Sequence, residues 1–299
     1  MTNDEPAIAQ ALAERRHLMA LAFRMLGTIA EAEDAVQETY VRWWRMGREE
    51  RAAVQAPRFW LQRVTSRICL DMLGSARARH EEYVGPWLPE PLPSQVFARP
   101  ELDPADRVSL DDSVSSALLV VLETMTPAER VAFVLHDVFA VPFDEIAATV
   151  GRSPGACRQL ASSARHRVEQ ARDRRATRQE HDDVVRAFAS AARSGDVQAL
   201  IAVLDPGAVL RSDGGGVVTA ARHPVVGAER VARFVAGVVH KYPGCDVLEQ
   251  ETHDGLGFAI WDEGHIIGVV TLDVCDGVVT DVRLVLNPEK LSSWNMPQP

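Results

Sequence analysis

The spacing of apolar residues divides the chain into a helical N-terminal part and a strand-rich C-terminal part. Over residues 7–80 the apolar positions recur every three or four residues, which predicts amphipathic helices. Thr28, with Glu31 three residues later, predicts a capping-box start for one of them. A second long helix, with arginines along its polar side, is predicted over residues 57–79.

Residues 114–175 are predicted to be helical again. Thr126 followed by Pro127 is a typical helix start. A short helix is predicted over Phe143–Val150, and Gly151 ends it because glycine readily adopts the left-handed conformation of a tight turn. The next helix opens at Ser153-Pro154, so the segment has the pattern of a helix-turn-helix.

From about residue 181 the pattern changes to short β-rich segments punctuated by glycine. Helices are predicted at 182–193, 197–204 and 228–240. Strands are predicted at 208–212, 217–221, 245–251, 256–261, 265–274 and 278–286. The sequence therefore predicts a multidomain protein, all-α at first and then α+β, with helices packed on a curved antiparallel sheet.

Between the two helical segments lies the stretch "YVGPWLPEPLPSQVFARPELD", residues 83–103. Its prolines are typical of a stiff linker, but its apolar content is high for a segment that only separates domains. We therefore expect Trp87–Pro91 to dock on another part of the chain.

Charge is distributed unevenly over the 299 residues, whose net charge is −10. Residues 1–80 carry +2 and residues 114–180 carry +1, whereas the linker at 81–113 carries −6 and residues 181–299 carry −7. The basic segments suit contact with nucleic acid, and the acidic ones suit contact with those basic segments.

Composition further narrows the possible classes of protein. The acidic start "MTNDEPAIAQ" lacks the basic n-region of a signal peptide, and no stretch has the length of a membrane span, so we expect a cytoplasmic protein without a membrane partner. The four cysteines are scattered, and none forms a CxxC pair. We expect neither a disulfide framework nor a metal site, and no cofactor.

The second helix of the helix-turn-helix carries the strongest chemical signal. It presents polar residues outward at Arg158, Gln159, Ser162 and Arg165. Arginine and glutamine near the start of a recognition helix suit base edges in the major groove, and serine or further arginines suit phosphates. The alternative is an ordinary helical hairpin with a solvated basic face.

Aromatic residues among arginines form a weaker signal. They are Trp43, Trp44, Phe59 and Trp60. Such a mixture suits stacking on unpaired bases, but Trp43 and Trp60 lie on apolar faces, which favours a place in the core.

Together these segments resemble an extracytoplasmic-function (ECF) sigma factor of bacterial RNA polymerase. "GTIAEAEDAVQETYVRWW" resembles the region 2 helix that binds the polymerase clamp, and "PRFWLQRVTSRICLDMLGSARARHE" resembles the part that opens and reads the −10 element. The resemblance implies polymerase contacts at Asp34, Gln37, Glu38, Arg42 and Arg45. It implies −10 contacts at Trp60, Arg63, Ser66, Arg67, Asp71, Arg77 and Arg79.

"TPAERVAFVLHDVFAVPFDEIAATVGRSPGACRQLASSARHRV" resembles region 4, which binds the −35 element and the polymerase flap. The C-terminal part looks like a SnoaL-like domain, the cone-shaped fold of polyketide cyclases and ketosteroid isomerases. Sigma factors with this domain carry a WLPEP linker, a DGGGK loop and an NPDKL end. Here these are "WLPEP", "DGGG" followed by valine, and "NPEKL".

The resemblance implies a regulatory interface between the linker and the C-terminal domain. Its candidate residues are Trp87, Leu88, Pro89, Glu90, Pro91, Asp213, Gly214, Gly215, Gly216, Asn287, Pro288, Glu289, Lys290 and Leu291. The predicted domains are sigma region 2 at 1–82, the linker at 83–113, sigma region 4 at 114–178 and the SnoaL-like domain at 179–299.

The leading interpretation is a promoter-specificity subunit that binds core RNA polymerase and promoter DNA, with its own C-terminal domain as regulator. It is not an enzyme. The alternatives are a one-component regulator that senses a small molecule in the SnoaL-like pocket, and a cyclase or isomerase with a DNA-binding appendage. Polar candidates for such a pocket are Asp213, His223, Tyr242, His253, Trp261 and His265, but no fixed spacing pairs them for a reaction.

Overall fold

A computed structural model describes residues 11–81, 83–94, 116–172 and 176–295. The chain forms two compact units. The first comprises Met1–Glu81 and Val121–Gln170, and the second comprises Glu82–Val120 and Ala171–Pro299. The linker segment thus belongs to the same unit as the C-terminal domain.

The first unit is helical. Its helices in chain order are α1 (Arg15–Leu26), α2 (Ile29–Arg45), α3 (Arg48–Ala53), α4 (Pro57–Glu81), α5 (Ser116–Glu123), which continues from the second unit, α6 (Pro127–Phe133), a π-helical turn (Val134–Val138), α7 (Phe143–Val150) and α8 (Pro154–Arg172). The predicted starts at Thr28 and Thr126 are present, since each hydroxyl accepts the N–H of the glutamate three residues later.

The helix-turn-helix consists of α7 and α8. Gly151 adopts φ 71° after the last residue of α7, and its N–H bonds to the Ala147 carbonyl oxygen at 2.9 Å. Ile146 and Cys157 are fully buried, one on each helix. The small and apolar positions therefore pack the two helices together, as the sequence predicted.

The second unit combines helices with one six-stranded sheet. Its elements are α9 (Arg178–Ser194), α10 (Val197–Val203), β1 (Leu204–Asp213), β2 (Val225–Val226), α11 (Ala228–Lys241), β3 (Asp246–Thr252), β4 (Gly255–Asp262), β5 (His265–Cys275), β6 (Val278–Val285) and a 3₁₀ helix (Pro288–Trp294). The strand order is β2-β1-β6-β5-β4-β3.

The sheet separates two apolar clusters. On one side, the helices α9, α10 and α11 pack on residues such as Leu210, Phe258 and Leu272. A smaller cluster joins the linker to the sheet and the C-terminal 3₁₀ helix through Leu88, Ala259, Ile266, Val269, Val285 and Leu291. The linker therefore contributes to a hydrophobic core of the second unit.

The α+β class is confirmed, but the sheet is mixed and not wholly antiparallel. β1 pairs parallel with β6, while the other pairs are antiparallel. The predicted strand at 217–221 is wrong, because this stretch forms a turn whose Val217 and Val218 amides bond back to the Gly214 carbonyl oxygen. Valine favours β-strands, but the glycines before Val217 form a turn, so this stretch does not extend into a strand.

The exposed hydroxyl of Thr126 caps α6, and Glu129 returns the bond to the Thr126 N–H. We expect Thr126→Ala to lower the free energy of unfolding of the first unit by about 1 kcal/mol, because a helix N–H loses its partner. Urea denaturation followed by circular dichroism measures this. Thr124→Ala is the matched control, since Thr124 is exposed and its hydroxyl only donates to the Val121 carbonyl oxygen. Equal losses in the two variants would contradict the capping role.

Candidate functional site: the docked linker and the promoter-facing helices

Asp213, the last residue of β1, is the centre of the contact between the linker and the C-terminal domain. Its carboxylate is fully buried. One oxygen accepts the Tyr83 hydroxyl at 2.5 Å and the Gly215 N–H at 3.0 Å. The other accepts the Leu88 N–H at 2.9 Å and the Lys290 ammonium at 2.7 Å. Because a buried charge is costly without partners, these four donors are what permits a carboxylate here.

Lys290 joins three parts of the chain. Its ammonium bonds to the Asp213 carboxylate and donates to the Leu88 carbonyl oxygen at 2.5 Å. It also lies 4.1 Å from the centre of the Trp87 ring, at which distance a cation–π attraction adds to the ion pair. Removing one partner of such a buried pair typically costs about 3–5 kcal/mol, because the other charge stays buried without compensation. We refer to Asp213, Lys290, Tyr83 and Leu88 as the Asp213 latch.

Tyr83 acts in the latch as a neutral donor. Burial raises the pKa of its phenol, and the hydrogen bond to Asp213 and the nearby carboxylate charge raise it further. Asn287 donates to the phenol oxygen at 3.1 Å. The phenol therefore keeps its proton and holds the start of the linker on the sheet.

The linker continues from the latch along the edge of the sheet. The Leu92 N–H donates to His253 Nδ1 at 3.2 Å, and the His253 N–H donates to the Leu92 carbonyl oxygen at 3.1 Å. The Ser94 N–H then donates to the Glu251 carbonyl oxygen at 3.2 Å. Prolines occupy positions 89, 91 and 93 between these donors. Proline favours extended backbone in the residue before it and removes N–H groups, which suits such an edge segment.

Side chains from the C-terminal end close over the linker. Trp294 donates its indole N–H to the Pro91 carbonyl oxygen at 2.7 Å. Ser293 donates to Glu90 at 3.1 Å. Glu90 is only 1% exposed, so it is part of the interface and does not supply surface charge as its type suggested.

The glycines after Asp213 are required by close packing. A Cβ at Gly214 would lie 2.1 Å from the Val218 carbonyl oxygen. Gly215 has φ +64°, and a Cβ there would lie 2.5 Å from Asn287 Cγ. The DGGG turn can therefore approach the NPEKL segment only without side chains. Val217, which stands where the family motif has lysine, is 78% exposed.

The structure brings the predicted interdomain residues together in one place. Those buried are Leu88, Pro89, Glu90, Pro91, Asp213, Gly214, Asn287, Lys290 and Leu291. Trp87 and Gly215 are partly buried, while Gly216, Pro288 and Glu289 are exposed. Sequence reasoning missed Tyr83, His253 and Trp294. The only sequence signal for Tyr83 and Trp294 was that each is an aromatic residue close to one of the motifs, WLPEP and NPEKL respectively.

The predicted polymerase-binding residues lie along one side of α2. Asp34, Gln37, Arg42 and Arg45 are exposed, and Glu38 is partly exposed and pairs with Arg42 at 2.8 Å. Val41 and Trp44 are exposed on the same stretch, at 40% and 37%. Val41 follows Gln37 by four residues and precedes Trp44 by three, and this helical spacing could have revealed both as part of the surface.

The predicted −10 residues on α4 differ in their exposure to solvent. Arg63, Arg67 and Asp71 are exposed. Contrary to the prediction, Ser66 is fully buried, and its hydroxyl donates to the Gln62 carbonyl oxygen of its own helix at 2.7 Å. Trp60 is partly buried against Trp43, with ring centres 5.0 Å apart. The side chains of Arg77 and Arg79 lie outside the described residues.

The predicted −35 residues face outward from α8. Arg158, Gln159 and Ser162 are exposed. Arg165 is partly exposed and pairs with Asp137 at 2.6 Å, so it is held against the π-helical turn. Three of the four side chains are therefore available to a ligand without breaking an ion pair.

The polar candidates for a catalytic pocket do not converge. Asp213 and His253 bind the linker, as described above. His223, Tyr242 and His265 are exposed, and Trp261 packs beside the cluster that contains Leu88. The space between the helices and the sheet is lined by apolar residues such as Phe188, Leu256 and Phe258. No acid and base among these six residues are brought to a shared position.

Comparison with known proteins gives consistent results. The family model for Sigma-70 region 2 matches residues 12–79, and that for Sigma-70, region 4 matches residues 115–168. The ECF RNA polymerase sigma factor SigJ of Mycobacterium tuberculosis is 40% identical over 240 residues, which is 79% of this chain and 75% of SigJ. The probable ECF RNA polymerase sigma factor SigI of the same species is 37% identical over 296 residues, 97% of each chain.

A solved structure agrees over almost the full length. The crystal structure of M. tuberculosis SigJ superposes with a TM-score of 0.73 at 34% identity, covering 96% of this chain and 98% of SigJ. Together, the two matched regions and the fold define a sigma factor with a C-terminal SnoaL-like domain. The chain belongs to the ECF RNA polymerase sigma factors.

As a member of this family, the protein recognises promoters and initiates transcription with RNA polymerase. The comparisons give no support to the one-component regulator. The family acts in transcription initiation and not as a class of enzymes. Among the helices that the structure describes, none combines the length and apolar character of a membrane span.

We expect Gly215→Ala to loosen the linker, because the new Cβ collides with Asn287 and the left-handed backbone is strained. Hydrogen exchange read by mass spectrometry on peptides covering residues 83–94 should show faster exchange at the Leu88, Leu92 and Ser94 amides. Gly237→Ala is the control, since a Cβ there meets no atom within 4 Å. Unchanged exchange in Gly215→Ala would contradict this reading of the DGGG turn.

Proposed function

We propose that this protein is an ECF sigma factor whose SnoaL-like domain regulates transcription in cis by holding the linker between regions 2 and 4. The observation that carries the proposal is the Asp213 latch, in which a buried carboxylate of the C-terminal domain takes two of its four donors, the Tyr83 hydroxyl and the Leu88 N–H, from the linker. A linker that merely joined two regions would need no buried charge. The partner of the C-terminal domain is thus a segment of its own chain.

The proposal assigns a physical role to each part. The linker connects the two DNA-reading regions, so fixing residues 83–94 to the sheet restricts how those regions can be placed. The acidic linker and C-terminal domain add charge that favours contact with basic surfaces. A change in the C-terminal domain that releases the Asp213 latch would alter how regions 2 and 4 are placed, without contacting either DNA-reading helix.

Point variants test this in the intact chain. We expect Asp213→Asn and Lys290→Met to change the yield of run-off transcripts made with core polymerase severalfold, and both in the same direction, because each removes the same buried ion pair. Glu289→Gln is the matched control, since Glu289 is exposed beside Lys290. Its yield should equal that of the unaltered protein.

Binding to core polymerase is measured in parallel by pull-down. Regulation through the linker is supported if the unaltered protein and the three variants are captured equally, while Asp213→Asn and Lys290→Met change the transcript yield. If both latch variants show faster exchange at residues 83–94 yet transcribe as the unaltered protein does, regulation by the latch is refuted.

We further propose that the exposed side of α2, with Asp34, Gln37, Val41 and Trp44, binds core polymerase. The surface combines the acidic Asp34 with an exposed tryptophan near the end of α2, and tryptophan is enriched at the energetic centres of interfaces. Among the other predicted contacts, we assign the exposed Arg63 and Arg67 on α4 to the −10 element, and Arg158, Gln159 and Ser162 on α8 to the −35 element.

We expect Trp44→Ala to weaken binding to core polymerase by roughly tenfold, because tryptophans at interfaces often contribute strongly to binding. Titration of labelled protein with core polymerase measures the dissociation constant. Glu49→Ala, at an exposed position on α3, should bind as the unaltered protein does. Equal affinity of Trp44→Ala and Glu49→Ala would remove Trp44 from the interface.

A further inference from the structure

The recognition helix α8 carries Arg158 over an aromatic ring. The guanidinium carbon of Arg158 lies 5.6 Å from the ring centre of Phe143, the first residue of α7. A cation over a ring face is attracted by the negative charge of that face, and this attraction does not use its N–H donors. Arg158 is exposed, and among the residues that the structure describes none accepts a hydrogen bond from it. Its donors therefore remain for a ligand.

Phe143 is in turn held by His136 of the π-helical turn. The two ring centres are 3.9 Å apart, with 30° between the ring planes. His136 is fixed as well, because its Nδ1 lies 3.1 Å from the Val141 carbonyl oxygen, which can only accept a hydrogen bond. Nδ1 therefore carries a proton, and the imidazole cannot rotate without losing this bond. We refer to Arg158, Phe143 and His136 as the Arg158 stack.

The packing of the helix-turn-helix does not account for the Phe143 ring. The contact between α7 and α8 is filled by Ile146, Ala147 and Cys157, all of which are buried. Phe143 and His136 are only partly buried, so they are not part of that core. The ring is better explained by its effect on the arginine that lies over it.

The same π-helical turn holds a second arginine of α8 in a different way. Asp137, next to His136, accepts the Arg165 Nε–H at 2.7 Å. This ion pair occupies donors of Arg165 and neutralises its charge. Arg158 and Arg165 are seven residues apart, and so they lie on the same side of α8, about two turns from each other. Of these two arginines, Arg158 is the one that is held in place with its donors and its charge intact.

We propose that Phe143, supported by His136, is a positioning residue for Arg158 and thereby determines the base selectivity of the recognition helix. An unrestrained arginine side chain has many rotamers, and fixing it on binding costs conformational entropy. The ring restricts those rotamers before DNA binds. The base that suits the restrained guanidinium is guanine, whose N7 and O6 accept two hydrogen bonds in the major groove. The inference rests on the proposed −35 role of Arg158 and adds the groups that make it selective.

Variants of the full chain test the Arg158 stack. Phe143→Leu removes the ring and keeps an apolar side chain, whereas Phe143→Tyr keeps a ring. Arg158→Ala removes the guanidinium, and a double variant combines Phe143→Leu with Arg158→Ala. Val150→Ala is the matched control, because Val150 also lies on α7 and is also partly buried, but it is not part of the stack. Circular dichroism checks that each variant retains the helical content of the unaltered protein.

The measurement is base preference in the holoenzyme. Each protein, assembled with core polymerase, selects from a duplex DNA pool whose randomised segment is long enough for both promoter elements, and the bound DNA is sequenced. We expect Arg158→Ala to lose the preference for guanine at one base pair of the upstream element. Phe143→Leu should lower that preference roughly threefold, the size of an exposed cation–π attraction, and leave the other positions unchanged. Phe143→Tyr and Val150→Ala should keep it.

The double variant decides whether Phe143 acts through Arg158. In the Arg158→Ala background, Phe143→Leu should have no further effect, since the side chain that it positions is gone. A further loss of DNA binding there, or an equal weakening at all positions in Phe143→Leu alone, would show that the ring only stabilises the fold and would overturn the inference. An unchanged guanine preference in Phe143→Leu would overturn it as well.

These outcomes also separate the inference from the proposed function. If Arg158→Ala loses the guanine preference while Phe143→Leu keeps it, the −35 role of α8 stands and the positioning role of Phe143 fails. If Arg158→Ala changes no base preference, Arg158 does not read the −35 element, and the inference fails together with that assignment.

Discussion

The second unit depends on one buried ion pair, between Asp213 and Lys290. Asp213 ends β1, and Lys290 lies in the 3₁₀ helix that follows β6, so the ion pair lies at the C-terminal ends of the two parallel strands. Neither charge is stable there alone, and the donors that complete the Asp213 shell come partly from the linker. The docked linker is therefore not an addition to a finished domain, because without it Asp213 would be buried with unfilled hydrogen-bonding capacity.

This dependence explains why the three motifs occur together. WLPEP supplies Trp87 over the ammonium and the Leu88 backbone, DGGG supplies the carboxylate and a turn thin enough to pass Asn287, and NPEKL supplies the lysine. Each motif is unremarkable by itself. Their joint presence is required because each fills a different part of one desolvated site, and a change in any of them leaves the other two incomplete.

Local chemistry explains which features the sequence could predict. Thr126 and Gly151 act through neighbours within a few residues, so the capping box and the turn of the helix-turn-helix are readable directly. The direction of strand pairing could not be predicted in this way. β1 runs parallel to β6 because the chain crosses over between them, and no local sequence pattern encodes that crossover. Burial is also non-local. Ser66 and Glu90 are polar residues in segments that look accessible, and they are buried by parts of the chain far away in sequence.

The two units hold their charged side chains in different surroundings. In the first, Arg67 donates to the Thr149 carbonyl oxygen with its side chain half exposed, whereas Arg130 donates to the Met25 carbonyl oxygen and is buried in an ion pair with Glu123. In the second, the Asp213 latch has no equivalent external competitor, because its charges are fully enclosed. Arg67 is therefore accessible to a ligand from solvent, whereas the Asp213 latch can open only if its own segments of the chain move apart.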